Sequence, residues 1–145
     1  HHGVAAPLYW ESGENNRDFK FNNYLNRYHS RHLDLMDILA GYQPRAFSSL
    51  EEVAIMLGLP GKMGMSGARV WEYFQRGRVS DIRAYCETDA LNTFLVYLQF
   101  ERMRGLLDEG AFSAEKQRLV EFLKTAEENH LQEFLSQWLG DNGSA

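Results

Sequence analysis

The stretch YCETD, residues 85–89, places a phenol and a carboxylate four positions apart, Tyr85 and Asp89. On a helix, side chains at i and i+4 share a face and lie within reach of each other. The pair is either half of an active site or a tyrosine tucked against core with an aspartate facing water. Spacing alone favours the second, because YxxxD arises constantly by chance.

Three other stretches carry residue types that could do chemistry. PGKMGMSG, residues 60–67, has a Gly-Lys step but not the GxxxxGK[ST] spacing of a phosphate loop. It is either a plain connector or a loop whose Lys62 and backbone amides touch a phosphate. HSRHLD brings His29, His32 and Asp34 close in sequence. His-x-x-His can ligate a metal on a helix, but here the third residue drifts into a strand pattern, and histidines supporting a strand end fit better. FKFNNYLNRYHSR interleaves Phe19, Phe21, Tyr24 and Tyr28 with Lys20, Arg27 and Arg31. Base stacking with phosphate contact uses such residues, although aromatics at mixed spacing are more often core. Nucleophile elbows, dinucleotide loops and zinc-binding cysteine pairs are absent.

The elements that must position these residues are mostly helical. RHLDLMDIL alternates like a strand that runs into a helical turn, with Leu33 and Leu35 against Asp34 and Met36. Ser48 or Ser49 caps a helix over LEEVAIMLGL that ends at Gly58 and Pro60, with Glu51 and Glu52 in its first turn. A short helix spans Ala68 to Gln75 and stops at Gly77. Ser80 then caps a long helix that carries YCETD, with Asp81 in its first turn. Ile82, Cys86, Ala90, Phe94 and Tyr97 mark its apolar face, which Leu91, Leu95 and Leu98 widen. Ser113 caps a last helix with a stripe of Leu119, Phe122, Leu123, Ala126, Leu131, Phe134, Leu135 and Trp138. Gly140 ends that helix, and DNGSA is expected to fray.

The 145 residues suit one domain with a sizeable core: 44% are hydrophobic and 24% charged. No segment reaches the about 18 apolar residues of a membrane span, so no membrane partner is expected. The single cysteine, Cys86, excludes an internal disulfide and fits a reducing compartment, with the cytoplasm as the expected location. Net charge is −5, which taken alone argues against nucleic acid. The sign is uneven, however. Residues 1–105 hold 12 basic and 12 acidic residues, whereas 106–145 hold 3 and 8. Within 62–83, Lys62, Arg69, Arg76, Arg78 and Arg83 face only Glu72 and Asp81, which permits a phosphate-facing surface.

RDFKFNNYLNRYHSRHLDLMDIL, PGKMGMSGARVWEYF and YCETDALNTFLVYLQFERMRG occur in that order over roughly residues 1–105. Together they resemble the predicted 3′–5′ exonucleases related to the proofreading domain of family-B DNA polymerases. The resemblance implies an α/β, ribonuclease H-like fold and the tyrosine variant of the DEDD superfamily. The present chain would supply a mostly α-helical C-terminal portion with one or two strands of the sheet. It further implies hydrolysis of phosphodiester bonds at a single-stranded nucleic-acid 3′ end, DNA over RNA, by two Mg²⁺ or Mn²⁺ ions roughly 3.5–4 Å apart. Asp89 would be a metal ligand. Tyr85 would orient the attacking water, because an unperturbed phenol, with a pKa near ~10, is a poor base at neutral pH. Lys62 and Arg69 would be weaker substrate contacts.

The chain departs from the superfamily at its first two motifs. It has no Asp-x-Glu, and no aspartate directly after Phe or Tyr. Three of the four expected metal-binding acids are thus missing, and the chain opens HHGVAAP without a methionine. The expectation is a C-terminal part of a longer domain, with 1–105 as exonuclease and 106–145 as an acidic helical extension, inactive by itself. The alternative is a non-catalytic helical domain that binds nucleic acid or protein, with its amphipathic tail docking a partner.

Overall fold

The structure, a computed structural model, describes residues 5–142. The first four residues of HHGVAAP and the last three of DNGSA therefore lie outside the described residues. Six α-helices follow one another: α1 (Leu35–Leu39), α2 (Leu50–Met56), α3 (Val70–Gln75), α4 (Val79–Met103), α5 (Glu109–Thr125) and α6 (Asn129–Asn142). Short 3-10 turns precede α1, at Arg17–Phe19, and α3, at Gly67–Arg69.

Among the described residues there is no strand, so the expected strand in RHLDLMDIL is corrected. Asp34 caps α1 instead, its carboxylate accepting the Asp37 backbone N–H at 3.1 Å. Alternation over five residues is a weak signal beside a side chain that satisfies a free N–H of the first helical turn. The expectation that this portion carries one or two strands of a sheet falls with it.

α2 begins where its sequence requires. The Ser49 hydroxyl accepts the Glu52 N–H, and the Glu52 carboxylate accepts the Ser49 N–H in return, a reciprocal capping box. The helix closes through Gly58, whose φ of +67° lets the Leu59 N–H reach back to the Ala54 carbonyl at 2.9 Å.

α4 is the central element. Its buried face keeps part of the predicted band, with Leu95 and Leu98 buried and Leu91 and Phe94 packed against the core, but turns away from the rest. Thr88, Asn92, Leu95, Val96, Leu98 and Phe100 are buried, whereas Cys86, Ala90 and Tyr97 are exposed. Apolar side chains occur on both sides of this helix, so periodicity does not choose between them; the packing of α2, α5 and α6 does. α4 also starts one residue before Ser80, and no side chain caps it. Asp81 is drawn instead into a bidentate pair with Arg78.

The predicted last helix is two. α5 starts earlier, capped by Asp108 through the Ala111 N–H at 2.8 Å, and Ser113 lies inside it. The chain then leaves helical geometry at Ala126, with ψ of 138°. Gln132 on α6 donates to the Leu123 and Ala126 carbonyls at 2.8 and 2.6 Å, which satisfies carbonyls at the end of α5. The stripe runs 119, 123, 126 and then restarts at 131, one residue out of phase with a continuous helix. α6 then passes through Gly140 to Asn142.

One hydrophobic core joins all this. Ala54 and Leu59 from the α2 region pack with Leu95, Val96 and Leu98 of α4, Phe112, Leu119 and Leu123 of α5, and Leu131, Phe134, Leu135 and Trp138 of α6. Of the predicted tail stripe, Phe122 alone among these large side chains faces out. His130 of α6 adds a 2.6 Å contact to Glu87 of α4, which Arg83 also holds at 2.6 Å. The His130 contact ties α6 to α4, and residues 85–92 of α4 are presented toward α2 and the 60–67 loop.

Candidate active site

Tyr85 and Asp89 do share a face of α4, and they open into a cleft of about 170 Å³. The cleft is completed by Ser49, Leu50 and Glu51 from the start of α2, by Gly61 and Lys62 from the loop, and by Asn92. The loop is held close by one hydrogen bond, from the Asn92 side-chain amide to the Gly61 carbonyl at 2.7 Å. Gly61 has φ of +63°, and a Cβ there would stand 3.3 Å from Ile55 Cγ1, so a glycine suits both the turn and the approach to α2.

The Tyr85 hydroxyl hydrogen-bonds to the Asp89 carboxylate, and its pKa is pushed up to about 12. The bond to Asp89 is the first cause, followed by burial and by the negative charge of Asp89; a Gly67 N–H on the phenol oxygen opposes them. Tyr85 is therefore a protonated donor throughout the neutral range.

Lys62 stands across the cleft. Its ammonium is 2.8 Å from Glu51 Oε2, and that hydrogen bond, with the charges of Glu51 and Asp89, holds its pKa above the usual lysine range despite some burial. Lys62 and the Tyr85/Asp89 pair, predicted from separate stretches, are thus brought together. Arg69 is not. It pairs with Glu72 at 3.3 Å, stacks over Tyr73 at 4.9 Å and does not line the cleft. The other cations of the 62–83 run are paired too: Arg76 with Glu72, Arg78 with Asp81 and Arg83 with Glu87. The excess of charge seen in sequence is answered locally by carboxylates, two of them from outside the run.

The histidine stretch takes another form. The His29 and His32 rings meet edge to face at 4.2 Å, His32 stacks on Tyr24, and Asp34 is spent on capping α1. Burial, and then the charges of His32 and Arg31, lower the His29 pKa. Of the interleaved aromatics, Phe19 is buried with Arg31 over its ring at 3.4 Å, while Phe21 and Tyr28 are exposed.

Glu51 and Asn92 are polar cleft residues that the sequence did not assign to a site. Glu51 reads there only as a first-turn acid. Asn92 carries a usable signal: it is a polar residue inside the apolar run 90–100, three positions after Asp89 on the same face. It is 1% exposed, and its Oδ1 has no hydrogen-bond partner. A buried acceptor left unpaired costs on the order of 1–3 kcal/mol.

A family model described as a predicted 3′–5′ exonuclease related to the exonuclease domain of PolB matches residues 1–138. The chain belongs to this family. No curated protein and no solved structure matches it. The matched span of this exonuclease-related family includes every cleft residue and most of the tail helices. Asp89, Glu51 and Asn92 Oδ1 are oxygen donors of the kind Mg²⁺ and Mn²⁺ take. Yet among the described residues no group of three or more His, Cys, Asp or Glu could hold a metal ion, and the Lys62 ammonium is already paired with Glu51 at 2.8 Å. These residues do not fit a two-metal centre by themselves. Among the described residues, no helix is long and apolar enough to cross a membrane.

Proposed function

We propose that the Tyr85/Asp89 cleft is this chain's part of a metal-dependent 3′–5′ exonuclease site that releases nucleotides from a single-stranded 3′ end, DNA over RNA. The observation that carries it is the joining of Tyr85, Asp89 and Lys62 in one cleft, in a member of an exonuclease-related family. Asp89 keeps the Tyr85 hydroxyl oriented, and Tyr85 in turn offers a lone pair that fixes an attacking water. Lys62 supplies the positive charge that a scissile phosphate meets. Arg69 belongs to the proposal as an outer contact, reached only if it leaves Glu72. In the complete site Asp89 contributes one ligand to Mg²⁺ or Mn²⁺, and the remaining acids lie outside the described residues. The 145 residues alone are accordingly proposed to be inactive, in the cytoplasm as elsewhere.

The test uses the chain together with any sequence its gene encodes upstream, on a labelled single-stranded oligonucleotide with Mg²⁺. Asp89→Ala is expected to abolish nucleotide release. Tyr85→Phe is expected to lower kcat by about 10- to 100-fold, as loss of an orienting partner does, with metal affinity nearly unchanged. Wild-type rates from Asp89→Ala would end the assignment. The lack of a metal-holding group among the described residues favours one other reading, a non-catalytic helical binding domain. Nucleic-acid binding that is indifferent to Mg²⁺, with no cleavage by the longer chain, would select it.

A further inference from the structure

We propose that Asn92 is a positioning residue: it holds the 60–67 loop so that Lys62 faces the Asp89 side of the cleft and meets a phosphate there. The inference rests on the cleft being a nucleotide site, and it adds the residue that sets where the positive charge of that site stands.

The loop needs support from outside itself. Residues 60–66 form neither helix nor strand, and Gly61 and Gly64 take left-handed φ values of +63° and +85°. Glycine-rich backbone of this kind has many conformations open to it. Two side chains of α4 restrict it. The Asn92 amide nitrogen donates to the Gly61 carbonyl at 2.7 Å, and at the other end the Gly67 N–H donates to the Tyr85 phenol oxygen. Tyr85 precedes Asp89 by four positions and Asn92 follows it by three, so all three share one face. The loop is therefore fastened to α4 about one turn before Asp89 and one turn after it.

Lys62 directly follows the Asn92 anchor. Its ammonium pairs with Glu51 at 2.8 Å and lies in the field of Asp89. One N–H goes to Glu51, which leaves two for a phosphate. The pair with Glu51 is a weak anchor, because the two side chains are 33% and 40% exposed. The Asn92 bond is buried and joins positions 31 apart, and it is the firmer of the two.

Stability alone is a poor reason for an asparagine at this place. Asparagine is a weak helix former, and position 92 lies well inside α4. Its Oδ1 is buried without a partner, which costs at least as much as one neutral hydrogen bond contributes. An apolar side chain would suit the helix and the core better, but only a donor can hold the Gly61 carbonyl.

The experiment titrates the 145-residue chain with 2′-deoxythymidine 5′-monophosphate and with thymidine, which lacks the phosphate, followed by NMR of the backbone amides. Wild type is expected to bind the monophosphate at least 5-fold more tightly. Lys62→Gln is expected to lose that preference, and Asn92→Leu to lose it too, to within 2-fold, although its lysine is intact. Asn92→Ser, too short to reach Gly61 and too small to overpack, is expected to behave like Asn92→Leu. In the Lys62→Gln background, Asn92→Leu is expected to change the preference no further, since both act through one ammonium. A merely structural Asn92 would weaken both ligands alike and leave their ratio at its wild-type value. That result overturns the role of Asn92 and leaves the nucleotide site standing. In the wild type, one Asn92 side-chain amide proton is expected to exchange at least 10-fold more slowly than those of exposed asparagines. Equal exchange overturns the anchor even where a variant does not fold. A wild type that binds neither compound, or both equally, overturns the phosphate role of Lys62 and the inference with it.

Discussion

At the scale of single residues, the Tyr85/Asp89 pair has a measurable electrostatic consequence. The pKa of Tyr85 is raised in the folded chain, chiefly by its hydrogen bond to Asp89, from an ordinary value near ~10 to about 12. The unfolded chain gives up that proton first. The stability contributed by the pair is therefore fully present below about pH 10 and is lost as pH rises toward 12. Asp89→Asn removes the carboxylate charge, and the Tyr85 transition is expected to fall back toward pH 10. Ultraviolet titration of tyrosinate, read as the difference from Tyr85→Phe, checks this. An unmoved transition in Asp89→Asn would mean that burial, not Asp89, sets the value. The pair was legible as a spacing; its link to Lys62 was not, because 23 positions of sequence separate Lys62 from Tyr85 and only folding closes that distance.

At the scale of elements, the cleft depends on how α2 begins. Ser49 caps the helix, and the next two residues, Leu50 and Glu51, are cleft residues. Ser49→Ala removes the hydroxyl half of the capping box and is expected to cost about 1 kcal/mol, measured by urea denaturation. The same change is expected to loosen the Glu51–Lys62 pair, visible as a shift of the Lys62 signals. The cap was readable because Ser-x-x-Glu is a local pattern whose two hydrogen bonds close within four residues. Helix ends that lack such a device were misread: Ser80 and Ser113 look like caps, but α4 starts uncapped at Val79 and α5 is capped at Asp108. The same holds for the α5–α6 break, where Gln132 reaches back from the next helix to do the capping.

At the scale of the whole molecule, the acidic tail and the cleft share one core. Leu123 is fully buried between α5, α6 and α4, so Leu123→Ala is expected to lose about 2–5 kcal/mol. Far-UV circular dichroism during thermal unfolding should still show a single transition, since α4 belongs to both the cleft and the tail packing. Two separated transitions would show that residues 106–145 fold as a unit of their own. The net charge of −5 describes the molecule poorly as a partner for phosphate. At the cleft, Lys62 is paired with Glu51, and neutralisation is local.

By itself, the sequence determined the helical character of the chain, the capping box of α2, the stop at Gly58, the family blocks and the helical spacing of Tyr85 and Asp89. All of these rest on interactions that close within a few residues or on patterns carried by the chain itself. The tertiary structure alone decided which face of α4 is buried, that RHLDLMDIL forms a helical turn, that the tail is two helices, and that Lys62, Glu51 and Asn92 meet Tyr85 and Asp89. Each of those outcomes depends on which surfaces pack together across dozens of positions. A helix with apolar residues on both sides holds no local term that would choose between them.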